Sequence, residues 1–81
     1  MKLPRDVAGH ELARELSKFG YLMTRQTGSH MRLTSRLRGA EHHVTIPAHN
    51  PLRVGTLSQI LSDVSEYLQL DKDALLKELF G

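Results

Sequence analysis

Gly28-Ser29-His30-Met31-Arg32-Leu33-Thr34-Ser35-Arg36 is the stretch that decides the fold of this 81-residue chain. Glycine frees the backbone to turn. Behind it, apolar and polar residues alternate, which is the period of a half-buried strand. The alternation sorts the side chains by face. Met31 and Leu33 share one face, and His30, Arg32, Thr34 and Arg36 share the other. With the apolar pair turned to a core, His30 stands on the solvent face at the start of a strand, among arginines. An imidazole there is placed to move protons, and the cations near it to hold a phosphate.

Upstream, Asp6 is predicted to cap a helix that runs to about Phe19, with Ala8, Leu12, Leu16 and Phe19 as its apolar stripe. Gly9 weakens that helix, Lys18 and Gly20 end it, and His10 lies on its exposed side. Tyr21 to Thr27 reads as a strand with Tyr21 and Met23 inward, which puts Arg25 on their face and leaves Thr24 and Gln26 outward near His30. Downstream, Arg38-Gly39-Ala40-Glu41 is a turn. His42 to Ala48 is a third strand, with Val44 and Ile46 inward and His43 and Thr45 outward. Pro47 ends that strand because it cannot donate to the ladder.

After a loop around Asn50-Pro51, Thr56 is predicted to cap a helix in which Leu57, Ile60, Leu61, Val64 and Leu68 recur at helical spacing. Asp71 is predicted to cap a last short helix with Leu75, Leu76, Leu79 and Phe80 as its apolar side. The order α-β-β-β-α-α, with strands and helices segregated, gives an α+β fold: a three-stranded antiparallel sheet with helices on one face. The other face is left open and carries His30, Arg32, Thr34, Arg36, His43 and Thr45.

The length predicts one domain over residues 1–81, with a core of about 6–70 and a helical extension at 71–81. There is no cysteine, which excludes disulfides and thiolate metal sites. No apolar run approaches the roughly 20 residues that a membrane span needs, and Met1 to Asp6 lacks the apolar core of a signal peptide. A cytoplasmic protein is expected. The charge is uneven: residues 1–55 hold nine Lys and Arg against four acids, and residues 56–81 hold two Lys against five acids. Such asymmetry suits a surface that meets a polyanion, although an ordinary solvated surface shows it too.

Several pieces of this sequence resemble the HicA (YcfA-like) mRNA interferase toxins over roughly residues 8–70. They are Arg25-Gln26-x-Gly28-Ser29-His30, then Val44-Thr45-Ile46-Pro47-x-His49, then Arg53-x-Gly55-Thr56-Leu57-x-x-Ile60-Leu61. The resemblance implies a fold like that of double-stranded-RNA-binding domains, cleavage of mRNA, a catalytic histidine and neutralisation by a HicB-like antitoxin. The histidine it points to is His30. The turn at residues 38–41 and the tail from Asp71 onward depart from the more compact members.

RNA carries its own nucleophile, so a neutral His30 needs only to take the 2′-hydroxyl proton while that oxygen attacks the adjacent phosphate. The leaving 5′-oxygen then takes a proton from water, from His43 or His49, or from His30 itself. Arg25, Arg32, Arg36 and Arg38 are candidates for phosphate grip, with Arg32 and Arg36 beside His30 by alternation. Gly28 and Ser29 shape the turn that aims His30, and His43 joins the RNA-binding set. His49 is expected to bond the loop before Gly55-Thr56. A zinc site is disfavoured because His42 and His43 point to opposite faces and nothing completes a ligand set. No cofactor is expected. A non-catalytic RNA-binding module is the alternative, and a small interaction protein using the Leu75–Phe80 tail is a third.

Overall fold

The computed structural model describes residues 3–81, so Met1 and Lys2, the beginning of the stretch read as lacking a signal-peptide core, lie outside the described residues. In chain order the elements are α1 (Gly9–Leu16), a 3-10 turn (Ser17–Phe19), β1 (Leu22–Thr27), β2 (His30–Ser35), β3 (His42–Pro47), α2 (Val54–Leu68) and α3 (Lys72–Phe80). The strands form one antiparallel sheet in the order β1-β2-β3. This is the α+β arrangement that segregated strands and helices imply.

The sheet is sorted by the alternation in β2. Met31 lies opposite Ile46 and Leu33 opposite Val44 on β3, and all four are buried. They meet Leu12 and Leu16 of α1, Leu57, Leu61 and Val64 of α2, and Leu75 and Leu79 of α3 in one core. The last helix is therefore packed into the body of the fold. Its neighbour α2 holds it further through Lys72, whose Nζ donates to the Ser58 and Ser62 hydroxyls at 2.9 and 2.8 Å.

Helix α1 begins later than Asp6 would have it. Ala8 is its N-cap and Asp6 sits at φ 59° in the preceding turn. Residues 7–9 are held instead by the loop after β3: Leu52 N–H donates to the Val7 carbonyl at 2.7 Å and Gly9 N–H to the His49 carbonyl at 2.9 Å. At Gly9 the helix passes so close to the sheet that a methyl group would run into the Pro47 carbonyl. The glycine that costs helix propensity is what allows this approach. Helix α2 likewise begins before Thr56, at Val54, with Arg53 as N-cap. Asp71 does precede α3, but its side chain makes no cap bond.

The first strand departs most from the sequence reading. Tyr21 is buried, as expected, but Met23 is 54% exposed. Met23 does face the helix side, opposite Leu33, yet β1 is an edge strand and the core is centred on β2 and β3. A bulge between Met23 and Arg25 then shifts the register, so that Arg25 pairs with Arg32 and Gln26 with the buried Met31. Paired residues share a face. Arg25 therefore joins the open face and Gln26 leaves it, the reverse of strict alternation.

Below the sheet, Tyr21, His42 and Tyr67 make a polar staple. The Tyr21 hydroxyl bonds His42 Nδ1 at 2.6 Å, and the His42 ring stacks on Tyr67 with centroids 4.7 Å apart. The Tyr67 hydroxyl donates to the Ala40 carbonyl and accepts from Arg38 N–H at 3.0 Å, so α2 holds the β2–β3 turn. Burial, then the neighbouring Tyr67 and Asp63, push the Tyr21 phenol above its ordinary range.

Two substitutions test this frame. Gly9→Ala should cost about 1–3 kcal/mol, as overpacking does, and Tyr67→Phe about 1–3 kcal/mol, because it leaves the turn's backbone groups without their partner. Urea unfolding reads both. A Gly9→Ala protein as stable as the parent would show that α1 does not need its close approach to Pro47.

Candidate functional site

The open face of the sheet gathers side chains from all three strands. β1 brings Thr24, Arg25 and Thr27, β2 brings His30, Arg32 and Thr34, and β3 brings His43 and Thr45. The bulge in β1 is what lets the consecutive residues Thr24 and Arg25 both serve this face.

His30 is the first residue of β2, between Thr27 and Pro47 on the neighbouring strands. Its backbone is fixed from both sides. The turn before it passes through Gly28 at φ 56°, a left-handed conformation that suits glycine. The carbonyl of Ser29 accepts from Ala48 N–H at 2.6 Å. Gly28 and Ser29 thus do what the sequence assigned them: they shape the turn. The imidazole itself is exposed, and among the described residues no side chain bonds it.

Further along the face lies a trough of about 560 Å³ lined by Thr24, Arg25, Arg32, Thr34, Arg36, Glu41 and His43 with Gly20 and Leu22 at its end. His30 is not part of its wall. His43 Nδ1 bonds Thr34 Oγ1 at 2.7 Å, and Thr34 Oγ1 bonds Thr24 Oγ1 at 2.9 Å. Thr24 donates to the Arg32 carbonyl at 3.3 Å. That carbonyl can only accept, which sets the direction of the chain: Thr34 donates to Thr24 and His43 Nδ1–H donates to Thr34. His43 Nε2 then faces the trough, 4.0 Å from Glu41 Oε2.

Glu41 is held from its other side. Arg36 donates to Glu41 Oε1 with both Nη2 at 2.8 Å and Nε at 3.2 Å. These hydrogen bonds, and then the charge of Arg36, hold the Glu41 carboxyl below its ordinary value, with His43 and Arg32 adding smaller shifts in the same direction.

The structure separates the residues that sequence alternation had grouped. Arg32 is next to His30 on the face, but Arg36 is not. Six residues at about 3.3 Å each put it roughly 20 Å away along the strand direction, and its guanidinium is paired with Glu41. Arg38 leaves the face altogether and donates to Gln69 Oε1 at 2.7 Å. His49 ties down α1 through its carbonyl rather than bonding the loop before Gly55-Thr56. His42 and His43 point to opposite faces, and among the described residues no three histidine or acidic side chains converge on a point where a metal ion would sit. The sequence reading put Thr24 outward near His30 and Thr34 on the open face but gave neither a role, and it missed Glu41. Antiparallel pairing of β2 with β3 was a signal for Thr34, because it puts that residue opposite His43.

The sequence model of the HicA toxin of bacterial toxin–antitoxin systems matches residues 9–65, from α1 into the last turns of α2. The chain belongs to the HicA toxin family, which is the toxin side of a toxin–antitoxin pair. Comparison with curated proteins and with solved structures found no match. None of the described helices is long and apolar enough to cross a membrane.

The Arg36–Glu41 pair gives a pH signature. A folded carboxyl held below its unfolded value favours the folded state above the ordinary carboxylate range, and that contribution is lost as pH falls through the depressed value. The Glu41 carboxyl carbon, followed by NMR, should titrate below the ordinary glutamate range, and Arg36→Ala should move its midpoint up. An unchanged midpoint in Arg36→Ala would mean that the ion pair does not form in solution.

Proposed function

We propose that the protein is an mRNA interferase, an endoribonuclease that cuts single-stranded mRNA in the cytoplasm with His30 as its proton-transfer group. The observation that carries this reading is the position of His30: an exposed imidazole on a backbone held at both flanks, at the edge of an arginine-bearing face, in a member of the HicA toxin family. The whole chain, residues 1–81, acts as one domain, its core of about 6–70 completed by α3.

The reaction needs no nucleophile beyond the substrate. His30, neutral, takes the proton of a ribose 2′-hydroxyl, and the 2′-oxygen attacks the adjacent phosphorus. The bond to the 5′-oxygen breaks, leaving a 2′,3′-cyclic phosphate and a 5′-hydroxyl that takes up a proton. Arg32, two residues from His30, is the nearest guanidinium to steady the charge that develops on the phosphate. His43 does not serve as the second proton group on that phosphate, because four residues of strand, about 13 Å, separate it from His30. The proton for the leaving oxygen comes from water, from His49 or from His30 itself. The RNA-binding set is Arg25 and Arg32, with Arg36 and His43 at the far end of the trough and Gly28 and Ser29 at the turn.

One observation favours a second reading, a non-catalytic RNA-binding module: among the described residues the His30 imidazole has no partner to orient it. The two readings separate on His30→Ala. Cleavage of a long mRNA should fall by about 10²–10⁴-fold, the usual worth of a positioned acid–base group, with the thermal melt unchanged because the side chain is exposed. A variant that cut as well as the parent would take His30 out of the mechanism. In the same preparations, RNA affinity should fall steeply with added salt, since phosphate contacts release counterions.

We also propose a HicB-like antitoxin as the partner, docking on the open face and covering His30 and Arg32. An acidic surface there would neutralise the cations and bar RNA in one step. Hydrogen exchange on the co-expressed pair should show protection of β2 and of the turn at Gly28–Ser29. Protection confined to α2 and α3, with RNA still cut, would sink active-site masking.

A further inference from the structure

On the open face, the arginines and the trough lie to one side of His30. His30 opens β2, and behind it the chain turns away through Ser29 and Gly28. In the other direction stand Arg32, its cross-strand partner Arg25, and then the trough that ends at Arg36 and Glu41. The trough holds three arginines and one carboxylate, and that carboxylate is engaged by Arg36. The remaining two positive charges belong to Arg25 and Arg32, which have no acidic partner among the described residues. Thr24, Thr34 and His43 fix the trough floor through their chain of hydrogen bonds. It is a preformed cationic subsite that begins at Arg32, beside the residue that does the chemistry, and extends away from it.

The extension has a length. From His30 to Thr34 is about 13 Å, and from His30 to Arg36 about 20 Å, at roughly 3.3 Å per strand residue. A stacked nucleic-acid strand advances about 3.4 Å per nucleotide. We infer that single-stranded RNA lies along β2 with one fixed polarity and on one side of the cut: the bond at His30 is near one end of the bound segment, Arg25 and Arg32 grip the first phosphates beyond it, and the trough carries the strand on toward Arg36, about four to six nucleotides away. The inference rests on the proposal that RNA is the ligand of this face, and it adds a direction and a footprint to it.

The chain has no native cysteine, so single cysteines report on the bound strand without interference. Thr27→Cys sits beside His30, and Leu22→Cys sits at the trough end, opposite Thr34. Both side chains are exposed, and thermal melts confirm that each variant folds. Hexaribonucleotides with 2′-O-methyl sugars, which cannot be cut through the 2′-oxygen, bearing a bromoacetyl group at the 5′ or the 3′ end are the probes. One end should label Thr27→Cys roughly tenfold faster than the other end does, through effective concentration. The preference should reverse at Leu22→Cys. Adding Arg25→Ala and Arg32→Ala should abolish both. Equal labelling by both ends at either cysteine, or labelling that survives loss of the two arginines, would overturn the one-sided track. The readout does not depend on cleavage. If His30→Ala still cut RNA, the catalytic proposal would fall while the crosslinks still reported the track. Unchanged labelling in a His30→Ala background would show that the track is independent of the chemistry.

Discussion

Everything on the working face follows from β2 being paired on both edges. A strand held between two neighbours cannot slip by one residue without turning its apolar set to water. Here the cost of a slip is concrete, since Met31 and Leu33 would leave the core they share with Ile46, Leu61 and Leu12. The register that buries these two side chains is the same register that sets His30, Arg32 and Thr34 in a row on the opposite side. Stability and the layout of the site are therefore one constraint.

The adjacent histidines of β3 show how far one residue of alternation separates two environments. His42 is drawn under the sheet, bonded to a buried phenol and stacked on Tyr67. His43, one position on, is fixed by a threonine hydroxyl and looks into an arginine-lined trough. The first closes the turn between β2 and β3 onto α2. The second belongs to the surface that the proposed substrate would touch. His30 differs from both in having a fixed backbone and a ring that no side chain among the described residues bonds, which suits the proposed contact with a substrate's hydroxyl.

The period-2 pattern of β2 and β3 and the helical spacing of Leu57, Ile60, Leu61, Val64 and Leu68 were legible in the sequence, because each side chain's burial follows from its own position in a regular element. The misread features arise where one element answers to another. A bulge has no sequence mark as strong as the alternation it breaks, so Arg25 and Gln26 were assigned to each other's faces. Asp6 has the right chemistry for a cap, but the bonds from the loop after β3 to Val7 and Gly9 decide where α1 begins. Gly9 scores against a helix in any local reckoning, and only the nearness of Pro47 gives it a reason. Arg36 reads as a free cation until the turn brings Glu41 back beside it. Resemblance to a family pointed to His30, and the strand pattern independently put it on the open face; neither gave its separation from the trough.

The outer edge of β1 is the sheet's unprotected flank: all six of its residues are exposed, Leu22 and Met23 among them. Such an edge is a template on which a second chain can add a strand, the usual first step toward sheet-mediated aggregation. The bulge between Met23 and Arg25 interrupts the regular row of backbone donors and acceptors on this strand after two residues, and Arg25 sets a positive charge beside the break. Two copies aligning by this edge would bring like charges together across a mismatched ladder. The irregularity that supplies the open face with an extra arginine is thus also a safeguard of solubility, and a repair of the bulge that kept every core contact would yield a flatter and stickier protein.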